Sequence, residues 1–357
     1  MKKTVLRILS AALCLSMLAG CATFTPASSS EAAAGGESAP ASTGEAAGGN
    51  AEYSLRFAYT LATDHEVSVA FEKFADLVNE RSEGRLEINT FPAGSLGTQP
   101  ENLESVMMGS LDMCYADTSM LPTYVPQYNL INLPWLITNF DTADQIFYNS
   151  EIVDQLDAIL SEQMNMTNLG WVYQGFRAFS TTMPLTCAAD CQGVKLRSPE
   201  TQIYLDTFSL MGFVPTVITW TEAYTAMQSG VVDGVDTVKS SILSYGFCDI
   251  GPYVWNSNHM FSTVGIVMNN DVLAGLPQDL QDVLFDTWAE VSEELNQQVK
   301  DEDASYIQQF EEAGATVTYT ADESEFRDIF HDYWYENAEQ NGYTELLDQM
   351  MAIVEQQ

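Results

Sequence analysis

Apolar residues recur at two spacings in the first half of the chain, and the two spacings alternate. Every second residue is apolar in residues 53–59, whereas the apolar residues of 66–82 fall three and four apart, which predicts a strand and then an amphipathic helix. The alternation continues with a strand at 85–91, a helix at 99–109 and a strand at 111–116. This βαβαβ order is typical of an α/β lobe with a largely parallel sheet.

A second alternating region predicts a second lobe. Residues 141–163 have a helical pattern, and 167–172 and 176–183 are strand-like segments that are expected to cross between the lobes. The second lobe is predicted to contain a strand at 194–197, a helix at 198–211, a strand at 213–217, a helix at 222–230 and a strand at 231–237. Residues 260–269 are apolar and β-like, and we expect them to return to the first lobe.

The C-terminal part is predicted to be helical. Apolar residues keep a helical spacing from 276 to 314, which is too long for one small lobe, so this helix is expected to bridge both. Helices at 323–339 and 344–354 are predicted to follow.

The N-terminus has the features of an export signal. Residues 1–7 are basic, and residues 8–20 form an apolar run of 13 residues, too short to span a bilayer but of the length of a signal peptide. The run ends in Leu-Ala-Gly-Cys, which resembles the lipobox of bacterial lipoproteins and predicts lipid attachment at Cys21. The alternative is an ordinary cleaved signal with an incidental cysteine.

The segment after Cys21 is predicted to be a flexible tether. It is almost entirely Ala, Gly, Ser, Glu, Thr and Pro, a composition that buries too little apolar surface to offset the entropy of ordering. We therefore expect a signal peptide at 1–20 and a lipidated cysteine with its tether at 21–51. A membrane contact is expected only through that anchor.

The charge balance excludes several classes of partner. The chain has 13 Lys and Arg against 50 Asp and Glu, a formal net charge of −37. A nucleic-acid-binding protein must neutralise phosphates with basic residues, so no nucleic acid is expected as a partner. With only three His residues, a His-based metal site is not expected either.

Cys187 and Cys191 lie four residues apart, which leaves two alternatives open. In an oxidising compartment they would form a local disulfide, and otherwise they are two small buried thiols. The spacing does not match a zinc site.

Three of the few cations lie close together in the sequence: Arg177, Lys195 and Arg197. Arg197 falls at the end of a predicted strand, beside a helix start, where ligands of α/β lobes gather. A guanidinium there suits a carboxylate, and the neighbouring helix N-terminus adds free N–H groups. The alternative for each Arg is a structural ion pair, because acidic partners are plentiful.

Residues 191–237 resemble the central signature of the DctP-type solute-binding proteins of TRAP transporters. The matching residues are Gly193, Lys195, Leu196, Arg197, Pro199, Gly212, Pro215, Glu222, Tyr224, Ala226, Gln228, Gly230, Val232, Asp233 and Gly234. Residues 84–88, 91–97 and 133–135 also resemble conserved stretches of that family. The resemblance covers most of 53–350.

The resemblance implies a set of ligand-binding residues. It implies that Arg197 is the principal carboxylate-binding residue and that Arg177 assists it. The other implied pocket positions are Thr60, Asp117, Trp220, Thr237 and His259. Thr237 stands where the family usually has Asn, and it lacks the amide's paired donor and acceptor. The alternatives are core packing for Trp220, a structural role for His259 and helix capping for Asp117.

The resemblance also implies a two-lobed α/β fold like that of periplasmic binding proteins, with crossing strands and a long bridging helix. Lobe I is expected at 52–174, with about 261–275 and parts of 315–357, lobe II at 175–260, and the bridging helix at 276–314. A small organic acid would be captured by closure of the lobes, without a cofactor, and passed to membrane permease subunits outside the cytoplasm.

Two other functions are compatible with these sequence features. A binding lipoprotein of an ABC-type importer or a ligand sensor would use the same kind of site. An enzyme acting on a carboxylated substrate is the remaining alternative, but the chain has no GxSxG, HExxH, P-loop or GxGxxG motif.

Overall fold

The computed structural model describes residues 51–356, apart from the side chain of Glu323. The predicted signal peptide, the predicted lipid-attachment residue Cys21 and the predicted tether up to residue 50 lie outside these residues. Residues 51–356 lie within one compact unit. None of the described helices is both long enough and apolar enough to cross a membrane.

The described residues form strands and helices in alternation. The strands are β1 (Tyr53–Ala58), β2 (Leu86–Phe91), β3 (Met113–Asp117), β4 (Met166–Thr181), β5 (Lys195–Ser198), β6 (Val214–Val217), β7 (Gly234–Val238), β8 (Tyr253–Asn256), β9 (Phe261–Asn269) and β10 (Thr316–Tyr319). The α-helices are α1 (Glu66–Arg81), α2 (Gln99–Met107), α3 (Phe140–Phe147), α4 (Ile152–Met164), α5 (Gln202–Met211), α6 (Trp220–Gln228), α7 (Lys239–Ser244), α8 (Asn270–Ala274), α9 (Gln278–Glu302), α10 (Ser305–Glu312), α11 (Glu323–Asn341) and α12 (Thr344–Val354). Short 3-10 helices lie at Leu121–Thr123, Pro126–Asn132 and Phe247–Asp249.

Two sheets share the strand β4. The first has the order β2-β1-β3-β9-β4, with β1 parallel to β2 and β3 as the sequence predicts, and with β9 antiparallel to β3 and β4. In the second sheet the order is β4-β7-β5-β6, with β8 paired to the other side of β4 and β10 paired to β8. Their carboxyl ends bring side chains of both sheets to one cleft.

The strand β4 is longer than the sequence pattern suggests. Two strands were expected at 167–172 and 176–183, but one strand of 16 residues runs through both. Its pairing with β9 shifts register between Asn168 and Trp171 and again between Tyr173 and Gly175. Gly170 and Gly175 have φ values of 141° and 88°, which glycine adopts readily, so the apparent break is a pair of bulges within one crossing strand.

The long helix predicted at 276–314 is divided in the structure. α9 ends at Glu302, and α10 begins at Ser305. The Ser305 hydroxyl donates to the Glu302 carbonyl at 2.7 Å, a local bond that competes with the helical pattern. Trp288 of α9 packs on Phe71 and Phe74 of α1, and Asp303 pairs with Lys239 of α7, so this region contacts helices that pack on the first sheet and on the second.

Candidate ligand-binding site

A cavity lies where strand ends of the two sheets meet. Its volume is about 50 Å³, which is room for a few water molecules in this conformation. Its wall includes six of the seven residues that the resemblance implied: Thr60, Asp117, Arg177, Arg197, Trp220 and Thr237. Arg197 and Trp220 also line an adjoining compartment, so they stand between the two spaces.

Arg197 presents a buried guanidinium to this cavity. The residue is 6% exposed, its Nε donates to the Ile218 carbonyl at 2.9 Å, and its Cζ lies 5.5 Å from the centre of the Trp220 ring. No described carboxylate forms an ion pair with it, and its two terminal nitrogens have no hydrogen-bond partner within residues 51–356. The ion-pair alternative for Arg197 therefore has no partner among the described side chains.

The charge of Arg197 is held at an energetic cost. Burial, and next the nearby charge of Arg177, lower the pKa of Arg197 to about 10. The guanidinium is still protonated at neutral pH, but its charge is poorly compensated. A buried cation with free donors favours an anion that forms a bidentate pair, as a carboxylate does.

Arg177 lies in the same wall but is already paired. Its Nε and Nη2 donate to the two carboxylate oxygens of Asp236 at 3.0 and 2.7 Å, and both residues are buried. Burial opposes ionisation of Asp236, but the Arg177 charge prevails and lowers the pKa of Asp236 to about 2. Only Nη1 is weakly engaged, at 3.4 Å from the Ser262 hydroxyl.

His259 does not line the cavity. Its Nε2 lies 3.0 Å from Asp236, its Nδ1 lies 2.8 Å from the Ser257 hydroxyl, and its ring stacks on Phe179 at 4.2 Å. Burial lowers the pKa of His259 against the opposing charge of Asp236. The structure thus places His259 behind the Arg177–Asp236 pair, which agrees with the structural alternative and not with the expected ligand contact.

Asp117 lies in the cavity wall and caps none of the described helices. It is the last residue of β3 and lines the cavity, while its Oδ1 accepts from the Ser119 amide at 2.8 Å in a local turn. Its Oδ2 accepts from the Tyr115 hydroxyl at 2.9 Å. Burial first, and Asp117 next, raise the pKa of Tyr115, so this phenol remains a donor.

Trp220 lies at the start of helix α6, and Thr237 lies near the end of strand β7. Trp220 is the first residue of α6 and meets Tyr245 edge-on at 4.9 Å. Thr237 lies on β7, paired with Ala178 of β4, and it is buried.

Sequence reasoning missed Asp236, Gln99 and Gln174. Asp236 lies on the buried strand β7, three residues after the Asp of the signature, and only the pairing with β4 brings it to Arg177. Gln99 begins α2 and Gln174 lies in the crossing strand, and both line the cavity. A signal was available for Gln99, because helix starts that follow parallel strands face the same edge as the strand ends.

Two further features concern the cysteines and the side chains that could bind a metal ion. Cys187 and Cys191 are free thiols in this structure, and the Cys191 thiol donates to the Cys187 carbonyl at 3.4 Å. Within residues 51–356 no group of three or more His, Cys, Asp or Glu side chains is arranged to hold a metal ion.

Comparison with known proteins settles the family. The DctP model, described as bacterial extracellular solute-binding protein, family 7, matches residues 57–341. The chain belongs to this family. The resemblance noted from the sequence is therefore confirmed. A solute-binding protein of Verminephrobacter eiseniae is 25% identical over 77% of this chain and 82% of its own length. The C4-dicarboxylate-binding periplasmic protein DctP of Rhodobacter capsulatus is 24% identical over 73% of this chain and 78% of its own.

Solved structures of family members share the fold. A TRAP periplasmic solute-binding protein of Sulfurospirillum deleyianum with bound succinate aligns with a TM-score of 0.79, at 20% identity, over 85% of this chain and 99% of its own. A TRAP periplasmic solute-binding protein of Polaromonas bound to D-erythronate aligns with a TM-score of 0.78, at 25% identity, over 85% of this chain and 98% of its own. The predicted two-lobed α/β fold is confirmed, and the relatives are binding proteins of transport systems, which favours a protein that is not an enzyme.

Proposed function

We propose that this family 7 protein captures a small organic acid through an ion pair between the ligand's carboxylate and Arg197. The observation that supports the proposal most strongly is a buried guanidinium whose terminal nitrogens have no described partner at the wall of a cavity. A carboxylate would supply the missing negative charge and accept both free donors. Arg177, fixed by Asp236, would assist through its less engaged Nη1.

Capture would involve closure of two lobes about their connecting strands. The cavity wall draws Thr60 and Asp117 from the first sheet and Arg197 and Thr237 from the second, so a ligand there would contact both. Closure shields the ion pair from water, and the lower effective dielectric strengthens it. The closed protein would then deliver its acid to the membrane permease subunits of a TRAP-type transporter.

A lipid anchor at Cys21 would hold the protein at the outer side of the cell membrane. The basic residues, the apolar run and the Leu-Ala-Gly-Cys sequence support this part of the proposal. Labelling of cells with a radioactive fatty acid tests it, because the parent protein should incorporate the label and a Cys21→Ser variant should not. Equal labelling of the two proteins would argue against lipidation at Cys21.

A thermal-shift screen of organic acids tests the binding residue. A ligand that binds the folded state raises its stability by mass action, so at least one acid should raise the melting temperature. Arg197→Ala should abolish that rise, while Lys195→Ala, an exposed cation on the same strand, should preserve it. If the Arg197→Ala protein binds the acid as tightly as the parent does, the proposal is wrong.

A further inference from the structure

The charges at the cavity restrict which acids it accepts. Arg177 and Asp236 form a bidentate pair and neutralise each other. Arg197 then remains as an uncompensated cation, and Asp117 remains as a carboxylate in the same wall. Among the described residues of the wall there is thus one free positive charge, sufficient for one ligand carboxylate.

A second carboxylate on the ligand would meet the charge of Asp117. Asp117 lines the same cavity as both guanidinium groups, and its negative charge partly offsets the lowering of the Arg197 pKa by burial and by Arg177. The remaining atoms of a ligand held by Arg197 therefore lie close enough to Asp117 to be affected by its negative charge. Two carboxylates in one partly buried site repel each other, and no further cation lines the wall within residues 51–356.

Asp117 is instead suited to accept hydrogen bonds from the ligand. Each of its oxygens accepts one bond, from the Tyr115 hydroxyl or the Ser119 amide, and each oxygen has a second lone pair available. A ligand hydroxyl supplies the required donor. A ligand ammonium group also donates, but it would lie beside two guanidinium groups.

Gln99 contributes an unused donor to the same cavity. Its side-chain Nε2 is buried and has no hydrogen-bond partner among the described residues. An amide donor buried without a partner is costly, and an oxygen of the ligand would satisfy it. Gln99 starts the nine-residue helix α2, whose N-terminal turn favours an electronegative atom at this place.

We propose that the ligand is a monocarboxylate that carries hydroxyl groups, with its carboxylate on Arg197, a hydroxyl donating to Asp117 and an oxygen accepting from Gln99. This inference rests on the proposed function, because it assumes that Arg197 holds the carboxylate. It assigns Asp117 and Gln99 as the residues that determine specificity among organic acids.

Calorimetric titration with matched acids tests the ligand class. The four-carbon set is butyrate, succinate, 2-aminobutyrate and the trihydroxybutanoates erythronate and threonate; the six-carbon set is hexanoate, adipate, norleucine and gluconate. A hydroxylated monocarboxylate should bind at least about tenfold more tightly than the alkyl acid, the dicarboxylate or the amino acid of the same length. Tighter binding of any of these three would overturn the inference.

Two variants separate the charge argument from simple loss of contact. Asp117→Asn should weaken the hydroxy acid about tenfold and strengthen the dicarboxylate, because the repulsion is removed while the shape is kept. Gln99→Leu should weaken the hydroxy acid by about fivefold and leave the alkyl acid unchanged. Asp76→Asn, which removes an exposed carboxylate on α1, is the control for net charge and should change neither affinity.

The outcomes distinguish a failure of the ligand class from a failure of the proposed function. If a dicarboxylate binds best and still depends on Arg197, the function stands and the ligand class is wrong. If Asp117→Asn leaves the preference unchanged, Asp117 does not determine specificity. If no acid of the panel binds, the ligand class is contradicted, and the thermal-shift screen with Arg197→Ala decides the proposed function separately.

Discussion

Arg177 and Asp236 form a buried ion pair beside the cavity, and each charge depends on the other. Both charges are removed from water, and each is compensated almost entirely by the other. Pairs of this kind add little stability as a whole, but removal of one partner leaves an isolated buried charge.

Replacement of Asp236 by Asn should therefore be severely destabilising. We expect Asp236→Asn to lower the free energy of unfolding by about 3–5 kcal/mol, because Arg177 then keeps its charge without an anion. Chemical denaturation measures the change. The exposed control Asp76→Asn should stay within about 0.5 kcal/mol of the parent, and a similar value for Asp236→Asn would contradict the role of the pair.

The pH dependence of this pair has a defined sign. The pKa of Asp236 is lowered from 3.8 to about 2 in the folded protein. Its contribution to stability is therefore fully present above about pH 4 and is lost as the pH falls through about 2. At neutral pH the pair is intact, so the geometry of Arg177 should not vary in that range.

The site residues that the sequence predicts lie at strand ends, whereas Asp236, which it does not predict, depends on the pairing of two distant strands. Thr60, Asp117, Arg197 and Trp220 follow or end strands, and strand ends meet at a known edge, so motif and topology place them together. Asp236 reaches its partner only through the antiparallel register of β4 and β7. No local pattern encodes that register.

Helix α1 provides a test at the level of a single element. His65 caps this helix, because its Nδ1 accepts from the Val67 amide at 3.2 Å, and its Nε2 lies 3.1 Å from the Ser241 hydroxyl. Burial lowers the pKa of His65 to about 4, against a small opposing effect of Asp64. Since Nδ1 accepts the capping bond, the neutral ring is the form that caps.

Stability should fall as acid is added through the range of His65. The unfolded chain binds the proton near pH 6.5 and the folded protein only near pH 4, so about 3 kcal/mol of stability is lost between these values. His65→Asn keeps a capping side chain but does not titrate, so its unfolding free energy should depend less on pH. His331→Asn, at a largely exposed side chain, is the control, and equal slopes for parent and His65→Asn would contradict this account.

Element boundaries were the least predictable part of the fold. The helical pattern of 141–163 is divided into α3 and α4, where the Ser150 hydroxyl donates to the Ile146 carbonyl at 2.8 Å and also accepts from the Ile152 amide. The division between α9 and α10 has a similar cause in Ser305. Apolar spacing continues through both breaks, so periodicity alone does not reveal them.

The molecule as a whole is strongly acidic, and its candidate site is a local exception. The formal net charge is −37, yet the cavity contains a guanidinium with no described anionic partner. The general field repels anions, so the selection of an organic acid must come from short-range contacts inside the cavity. Arg197 is the residue that supplies this local positive charge.

A crystal structure of the protein with the acid that binds it most tightly is the most direct test. We expect one carboxylate of the ligand to lie against the two terminal nitrogens of Arg197, at about 2.7–2.9 Å, with residues of both sheets around it. An acid bound elsewhere, or one whose carboxylate avoids Arg197 while that guanidinium pairs with a carboxylate of the protein, would contradict it.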